Sequence, residues 1–284
     1  MSLIKQKHAG ECRRHVVLAP RSAQIPRAFG NVANSPNDHD RLLRELQRLR
    51  GRIYVREGAI QASQLTPDGR DACPMDHLAW HLLTLGSDGT VGGCVRMVVH
   101  PRQASFENFT VSHSSLAKCP ERGFALRSAV ESEIIDARSA GSPVVEVGGW
   151  VLTEAMRCST EPVRLALGVW AWGRMLGGAM GIATATVRNH SACILGRIGG
   201  RPLRHCGEPI AKYFEPQYGC DIQILRFDSK SYSDRYAPIV DALCGELTRS
   251  PVLSASAGRA FPLETLSAGL HAPQAELGFG GYAA

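Results

Sequence analysis

The residues best suited to chemistry stand in the stretch S-P-V-V-E-V-G-G-W-V-L, 142–152. It reads as a strand carrying one carboxylate, Glu146, among valines. Side chains alternate across a strand, so Val145, Val147 and Val151 are expected on one face and Glu146, Trp150 and Leu152 on the other. An acid on so apolar a strand has to be paired, neutral or open to a cavity. It is therefore either half of a structural ion pair or a working acid–base group. Gly148-Gly149 interrupts the strand, and glycine at such a place marks a bulge or a close approach of ligand to backbone.

A helix start follows. Ser159 or Thr160 can cap it, Pro162 fits the first turn, and Glu161 suits the positive end of the dipole. The free N–H groups of such a terminus either hold a phosphate or simply begin an ordinary capped helix. His77 and His81 have the i, i+4 spacing of a metal pair on a helix, but they read as strand residues and no H-E-x-x-H is present. No metal is expected. G-x-G-x-x-G after a strand, G-x-x-x-x-G-K-[ST] and G-x-S-x-G are all absent.

The elements that position these residues can be read from period and punctuation. Residues 1–37 have no period and read as a flexible arm. Asp38 or Asp40 can cap a helix over 40–55, whose Leu42, Leu43, Leu46, Leu49 and Ile53 form one stripe, with Arg44, Arg48, Arg52 and Arg56 as a solvated face. Turns fill 58–75. Two apolar runs about a Ser-Asp-Gly turn predict an antiparallel hairpin ending near Val98. A polar connection over 101–125 leads to a helix at 126–140, then the Glu146 strand and the helix after Thr160. A strand at 181–187, a helix capped by Asn189, an alternating strand 220–227 and a helix 235–248 complete the order. Residues 253–284 read as a loose extension. The result is a single α/β domain over 38–252, a sheet covered by helices.

Composition narrows the class. The 284 residues are 44% hydrophobic and 20% charged, which fits a globular protein with a real core. Nine cysteines without a C-x-x-C pair suggest reduced thiols in the cytoplasm. No apolar run is long enough for a signal peptide or a membrane span. The net charge of +6 suits an acidic partner. Without a compact basic run interleaved with aromatics, nucleic acid is not expected to be that partner.

A strand broken by glycines, a phosphate-ready helix, a further strand and another capped helix together resemble the core of the GNAT-type acyltransferases. R-G-R-I-Y (Arg50–Tyr54), G-R-D-A-C-P-M-D-H (Gly69–His77), G-G-C-V-R-M (Gly92–Met97) and V-E-V-G-G-W (Val145–Trp150) resemble acyl-homoserine-lactone synthases and their relatives, the long-chain N-acyl amino acid synthases. I-G-G-R-P-L and Y-F-E-P-Q-Y-G-C-D-I-Q-I-L-R-F resemble the second group more. The resemblance covers roughly 40–252.

It implies a GNAT-like, mostly antiparallel sheet and an N-acyltransferase joining an acyl thioester to the amine of an amino acid. Glu146 would be the base, its pKa raised beside Trp150, acting directly or through one water. N–H groups at Gly148-Gly149 would stabilise the oxyanion, and the acyl chain would run past Val151 and Leu152. Arg157 and Thr160 would help hold the donor. Arg50, Tyr54, Asp71, Asp76 and Arg96 would shape the acceptor site, Ala72–Met75 leaving open which aspartate has the family's role; a plain salt-bridge network is the other reading of those charges. The glycine-rich pyrophosphate loop of acetyl-CoA users is missing, since 154–160 hold only Arg157. That favours an acyl carrier protein over free acyl-CoA as donor, with no permanently bound cofactor. A lactone synthase and a non-catalytic acyl- or carrier-binding module are the alternatives.

Overall fold

The computed structural model describes residues 14–21 and 23–255. Strands β1 (Arg14–Leu18) and β2 (Asn31–Asn34) precede helix α1 (Pro36–Arg56). The hairpin β3 (Trp80–Leu85) and β4 (Val91–His100) is followed by α2 (Gly123–Ser139), β5 (Val144–Leu152), the single turn α3 (Glu154–Arg157), α4 (Glu161–Met175), β6 (Met180–Thr186) and α5 (Ser191–Ile198). Next come the short β7 (Arg201–Pro202), β8 (Arg204–His205), β9 (Glu208–Pro209) and β10 (Tyr213–Glu215). The long β11 (Cys220–Asp228), α6 (Ala237–Arg249) and β12 (Pro251–Ser254) close the order.

Ten strands form one sheet in the order β10-β11-β6-β5-β4-β3-β1-β12-β2, with β7 also on β11. All pairs are antiparallel except β5–β6, β1–β12 and β12–β2. Helices α4 and α6 cover one face, packing Leu165, Trp172 and Leu243 on Val17, Leu82 and Val145. The other face carries α1, whose Leu42, Leu46 and Leu49 meet Leu83 and Val151, and α2, whose Leu126 and Val130 meet Ile182 and Ile224. The mixed, mostly antiparallel α/β architecture expected from the sequence is the one found.

Several local readings need correction. The supposed flexible arm holds two strands: β1 pairs with β3 from Arg14↔Leu85 to Leu18↔His81 and with β12 on its other side. Val16, Val17 and Leu18 are buried there, against partners too distant in sequence to be read locally. Residues 1–13 lie outside the described residues, as does the expected extension from 256 on; its first residues belong to β12. Helix α1 starts earlier than read, with Pro36 in its first turn and Ser35 donating to Asp38 (2.7 Å). The polar connection over 101–125 is anchored by buried Phe106, Phe109, Val111 and Leu116. His77 lies in a short 3-10 turn outside β3, so it does not share a strand face with His81. The residue preceding α5 is His190, in a left-handed conformation (φ 59°), and not Asn189.

Candidate active site

Strands β5 and β6 pair only over Val144–Val147 and Met180–Ala183. Beyond Val147 the ladder stops, yet both strands continue, to Leu152 and Thr186. On the β4 side, Arg96 faces Gly148 and Cys94 faces Val151, so Gly149 and Trp150 together oppose Val95. This is a β-bulge, with Gly149 at φ +61°. A bulge bends and over-twists its strand, which turns the end of β5 away from β6 and opens a wedge.

The inserted residue also resets the alternation. Trp150 and Leu152 join Val145 and Val147 in the core under α4, while Val151 packs into the core under α1. The expected grouping of Glu146 with Trp150 and Leu152 is therefore wrong beyond the glycine pair.

The wedge is a cavity of about 340 Å³. Its α4 side is apolar, lined by Trp150, Leu152, Ala166, Val169 and Trp170. Toward α1 it is lined by Gly148, Gly149, Tyr54 and Tyr218. Burial pushes both tyrosine hydroxyls above the ordinary phenol range, so both are neutral donors.

Behind Gly148-Gly149 lies the charged cluster. A Cβ on Gly149 would stand 3.3 Å from Arg96 Cβ and 3.7 Å from Arg50 Nη1, so the glycine makes room for both arginines. Arg50 donates from Nη1 to Asp76 Oδ1 (2.9 Å), from Nη2 to Asp76 Oδ2 (2.7 Å) and from Nε to Asp71 Oδ2 (2.5 Å). Gln47 Nε2 (2.9 Å) and the Cys73 N–H (3.2 Å) also reach Asp76 Oδ2, and Arg96 Nη1 reaches Oδ1 at 3.3 Å. Gly51 permits this by its missing side chain, since a Cβ there would sit 2.9 Å from the Gly69 carbonyl and 3.2 Å from the Asp71 nitrogen.

The two aspartates are thereby separated in role. Asp76 is fully buried with its valences filled. Burial alone would raise its pKa, but Arg50 outweighs that and holds the carboxyl well below the usual range. Asp71 is half-buried, its side chain 28% exposed, and its Oδ1 has no partner among the described residues. Among the described residues, the one side-chain hydrogen bond of Arg96 is the 3.3 Å contact with Asp76. His81 Nε2 donates to the Asp76 carbonyl (2.9 Å), and burial pushes its pKa down to about 4, so it is neutral.

Glu146 sits at the apex of the wedge, opposite Val98 on β4 and Ile182 on β6. It does not line the cavity; its neighbours Val147 and Gly148 do. Its oxygens accept the Thr110 N–H (3.1 Å each), and His100 Nε2 stands 3.4 Å away. Burial, the largest influence, pushes its pKa up, yet His100 and Thr110 together bring it below the ordinary value. The expected raised pKa beside Trp150 is corrected on both counts: the indole is on the other face, and the carboxylate is held ionised.

At the wide end of the wedge, Arg157 donates to the Leu152 carbonyl (3.1 Å) and to Glu57 Oε1 (2.5 Å). Thr160 is the N-cap residue of α4 without a side-chain bond, and does not line the cavity. The positive end of α4 already holds an anion, because buried Glu161 accepts from Thr84 (2.7 Å) and lies 3.1 Å from His15 Nε2. Sequence reading missed Tyr218, Gln47, Glu57, His100 and Thr110. Only Tyr218 left a trace, as part of Y-F-E-P-Q-Y-G. Among the described residues no His, Cys, Asp and Glu side chains gather into a metal-binding group, and no helix is long and apolar enough to cross a membrane.

No protein-family model matches the chain, and no curated protein matches it. Among solved structures it is similar to a CoA-dependent acyl-homoserine lactone synthase, BjaI, solved with MTA and separately with SAM and isopentyl-CoA. In both cases the identity is 15%, 90% of this chain and 99% of that chain are covered, and the TM-score is 0.50. A more remote likeness is to FeeM, an N-acyl amino acid synthase from uncultured soil microbes, at 12% identity and TM-score 0.45, covering 77% of this chain and 92% of that one. At such identities the likeness is one of fold, which is GNAT-like.

Proposed function

We propose that the chain is an N-acyltransferase that moves a long-chain acyl group from a carrier-protein thioester to the amine of an amino acid. The observation that carries this is the wedge itself: one cavity, apolar toward α4, is separated only by Gly148-Gly149 from a charged cluster able to hold a zwitterion, whose Arg50, Asp71, Asp76 and Arg96 do not themselves line it. The acyl chain lies among Trp150, Leu152 and Val169. The acceptor's carboxylate meets the unspent N–H groups of Arg96, and its ammonium meets Asp71 Oδ1. Arg50 and Asp76 are then the frame that fixes both.

The chemistry is a substitution at the thioester carbonyl. The amine loses a proton, its nitrogen bonds to the carbonyl carbon, the C–S bond breaks, and the thiol leaves with a proton. Glu146, ionised at neutral pH, takes the amine's proton through one water, since Val147 and Gly148 stand between it and the cavity. The backbone N–H groups of the Gly148-Gly149 bulge face the developing oxyanion.

A lactone synthase is the second reading, favoured by the fold shared with BjaI, a CoA-dependent acyl-homoserine lactone synthase solved with SAM and isopentyl-CoA, over nearly its whole length. Purified protein mixed with acyl carrier thioester or acyl-CoA and a panel of amino acids and SAM tests both, with products read by mass spectrometry. An open-chain N-acyl amino acid supports the first reading and an acyl lactone the second. Absence of any acylated amine rejects acyl transfer.

A further inference from the structure

Across the wide end of the wedge lies a single carboxylate that joins its two arms. Glu57 caps the C-terminus of α1. Its Oε1 accepts from Arg157, on the arm that leaves β5, and its Oε2 accepts from Asn189 Nδ2 (2.7 Å), on the arm that leaves β6. Arg188 Nη2 donates to the Glu57 backbone carbonyl (2.6 Å), and Arg56 stands 3.8 Å from Oε1. Glu57, Arg157, Arg188 and Asn189 all line the cavity.

Two features make this carboxylate a placeholder and not a fixed brace. Its partners are a guanidinium and an amide, the donors that suit a phosphate equally well. The first turn of α5 begins just past Asn189, with His190 offering no side-chain cap to its free N–H groups. Arg188, bonded to backbone, would keep α1 in place if the carboxylate swung out.

From the apex at Val147 to Leu152 the β5 arm runs five residues, roughly 16 Å of strand. A thioester at the apex would therefore put the far end of an extended pantetheine arm at this mouth. We propose that Glu57 is a resident counter-anion occupying the seat of the donor's phosphate, and that the 4′-phosphate of a pantetheine thioester displaces it from Arg157 and Asn189. This rests on the acyl-transfer reading above. The phosphate has two sources, the phosphodiester of a carrier-bound arm and coenzyme A. The resident anion makes the closed mouth a state that the donor must open, which weakens apparent donor binding by the fraction of time it is closed.

The test compares a phosphate-bearing acyl donor with acyl-pantetheine, which lacks the phosphate, as the ratio of their KM values. Glu57→Gln lowers that ratio by about threefold to tenfold, and Glu57→Asp, a milder change should the first not fold, moves it the same way. Arg157→Gln raises the ratio and abolishes the effect of Glu57→Gln in the double variant. Running acyl-CoA and acyl carrier protein side by side identifies the source, by the donor that shows the drop. A ratio unchanged or raised in both Glu57 variants overturns the proposal while leaving acyl transfer standing. Titration with phosphopantetheine, followed by tryptophan fluorescence, to which Trp150 and Trp170 of the cavity wall contribute, is the separate check. If the unaltered protein neither binds it nor turns over any pantetheine thioester, the acyl-transfer reading fails and the latch with it.

Discussion

Arg50 meets Asp76 edge to edge, two N–H groups on two carboxylate oxygens at 2.9 and 2.7 Å, and both side chains are buried almost completely. This paired fork joins α1 to the segment before β3. It holds Asp71 through Arg50 Nε and Arg96 through Asp76 Oδ1, with Arg50 and Arg96 packed behind Gly149 of the bulge.

Removing one partner strands a buried charge. Asp76→Ala is expected to destabilise the fold by about 3–5 kcal/mol in urea denaturation, whereas Asp71→Asn, at a partly exposed position, costs much less and chiefly raises KM for the amino acceptor. The folded pKa of Asp76 is depressed. Its contribution is therefore present above the unfolded value near 3.8 and is lost as pH falls through the folded one. The wild type should lose stability steeply in acid, and Asp76→Ala should flatten that limb.

Glu146→Gln should reduce kcat by about 10²–10⁴-fold with the circular dichroism spectrum unchanged. Because His100 and Thr110 hold the carboxyl below its ordinary pKa of 4.5, the inflection belonging to Glu146 lies below that pH. A pH–rate profile with a Glu146-dependent inflection above the ordinary 4.5 would contradict this charge state.

The two glycines of the bulge should respond differently. Gly149→Ala forces a Cβ into a left-handed residue and to 3.3 Å from Arg96 Cβ, so it should cost about 1–3 kcal/mol and narrow the wedge. Gly148→Ala meets only Arg96 Nη2 at 3.8 Å, an ordinary contact, and should fold normally. Melting temperatures of the pair are the measurement.

His15 ties β1 to α4 and α6. Its Nε2 is 3.1 Å from Glu161, and its Nδ1 is 2.8 Å from Glu246, close as an ion pair though out of line for a hydrogen bond. Burial lowers its pKa, but the two carboxylates outweigh burial and raise it to about 9. A raised pKa contributes stability that is full below the unfolded value of 6.5 and is lost as pH climbs through about 9. The unfolding free energy should fall by on the order of 3 kcal/mol over that interval, and His15→Gln should remove the dependence.

Much of the frame was legible because it is written in local period. The stripe Leu42, Leu46, Leu49 defines α1, Pro162 marks the start of α4, and the alternation of Cys220–Phe227 defines β11. Gly148-Gly149 announced a bulge on grounds of backbone freedom alone. Other features depend on partners far along the chain and left no local sign. Val16–Leu18 became a central strand because β3 and β12 flank it. The bulge was readable, but its effect on parity was not, since which β4 residue faces which β5 residue is decided by the whole ladder. Residue types thus determined that a carboxylate, two arginines and two aspartates would need partners. Tertiary packing decided which of them are filled, Asp76 and Glu146, and which keep free valences among the described residues, Asp71 and Arg96, because burial and hydrogen bonding belong to surroundings assembled from distant segments.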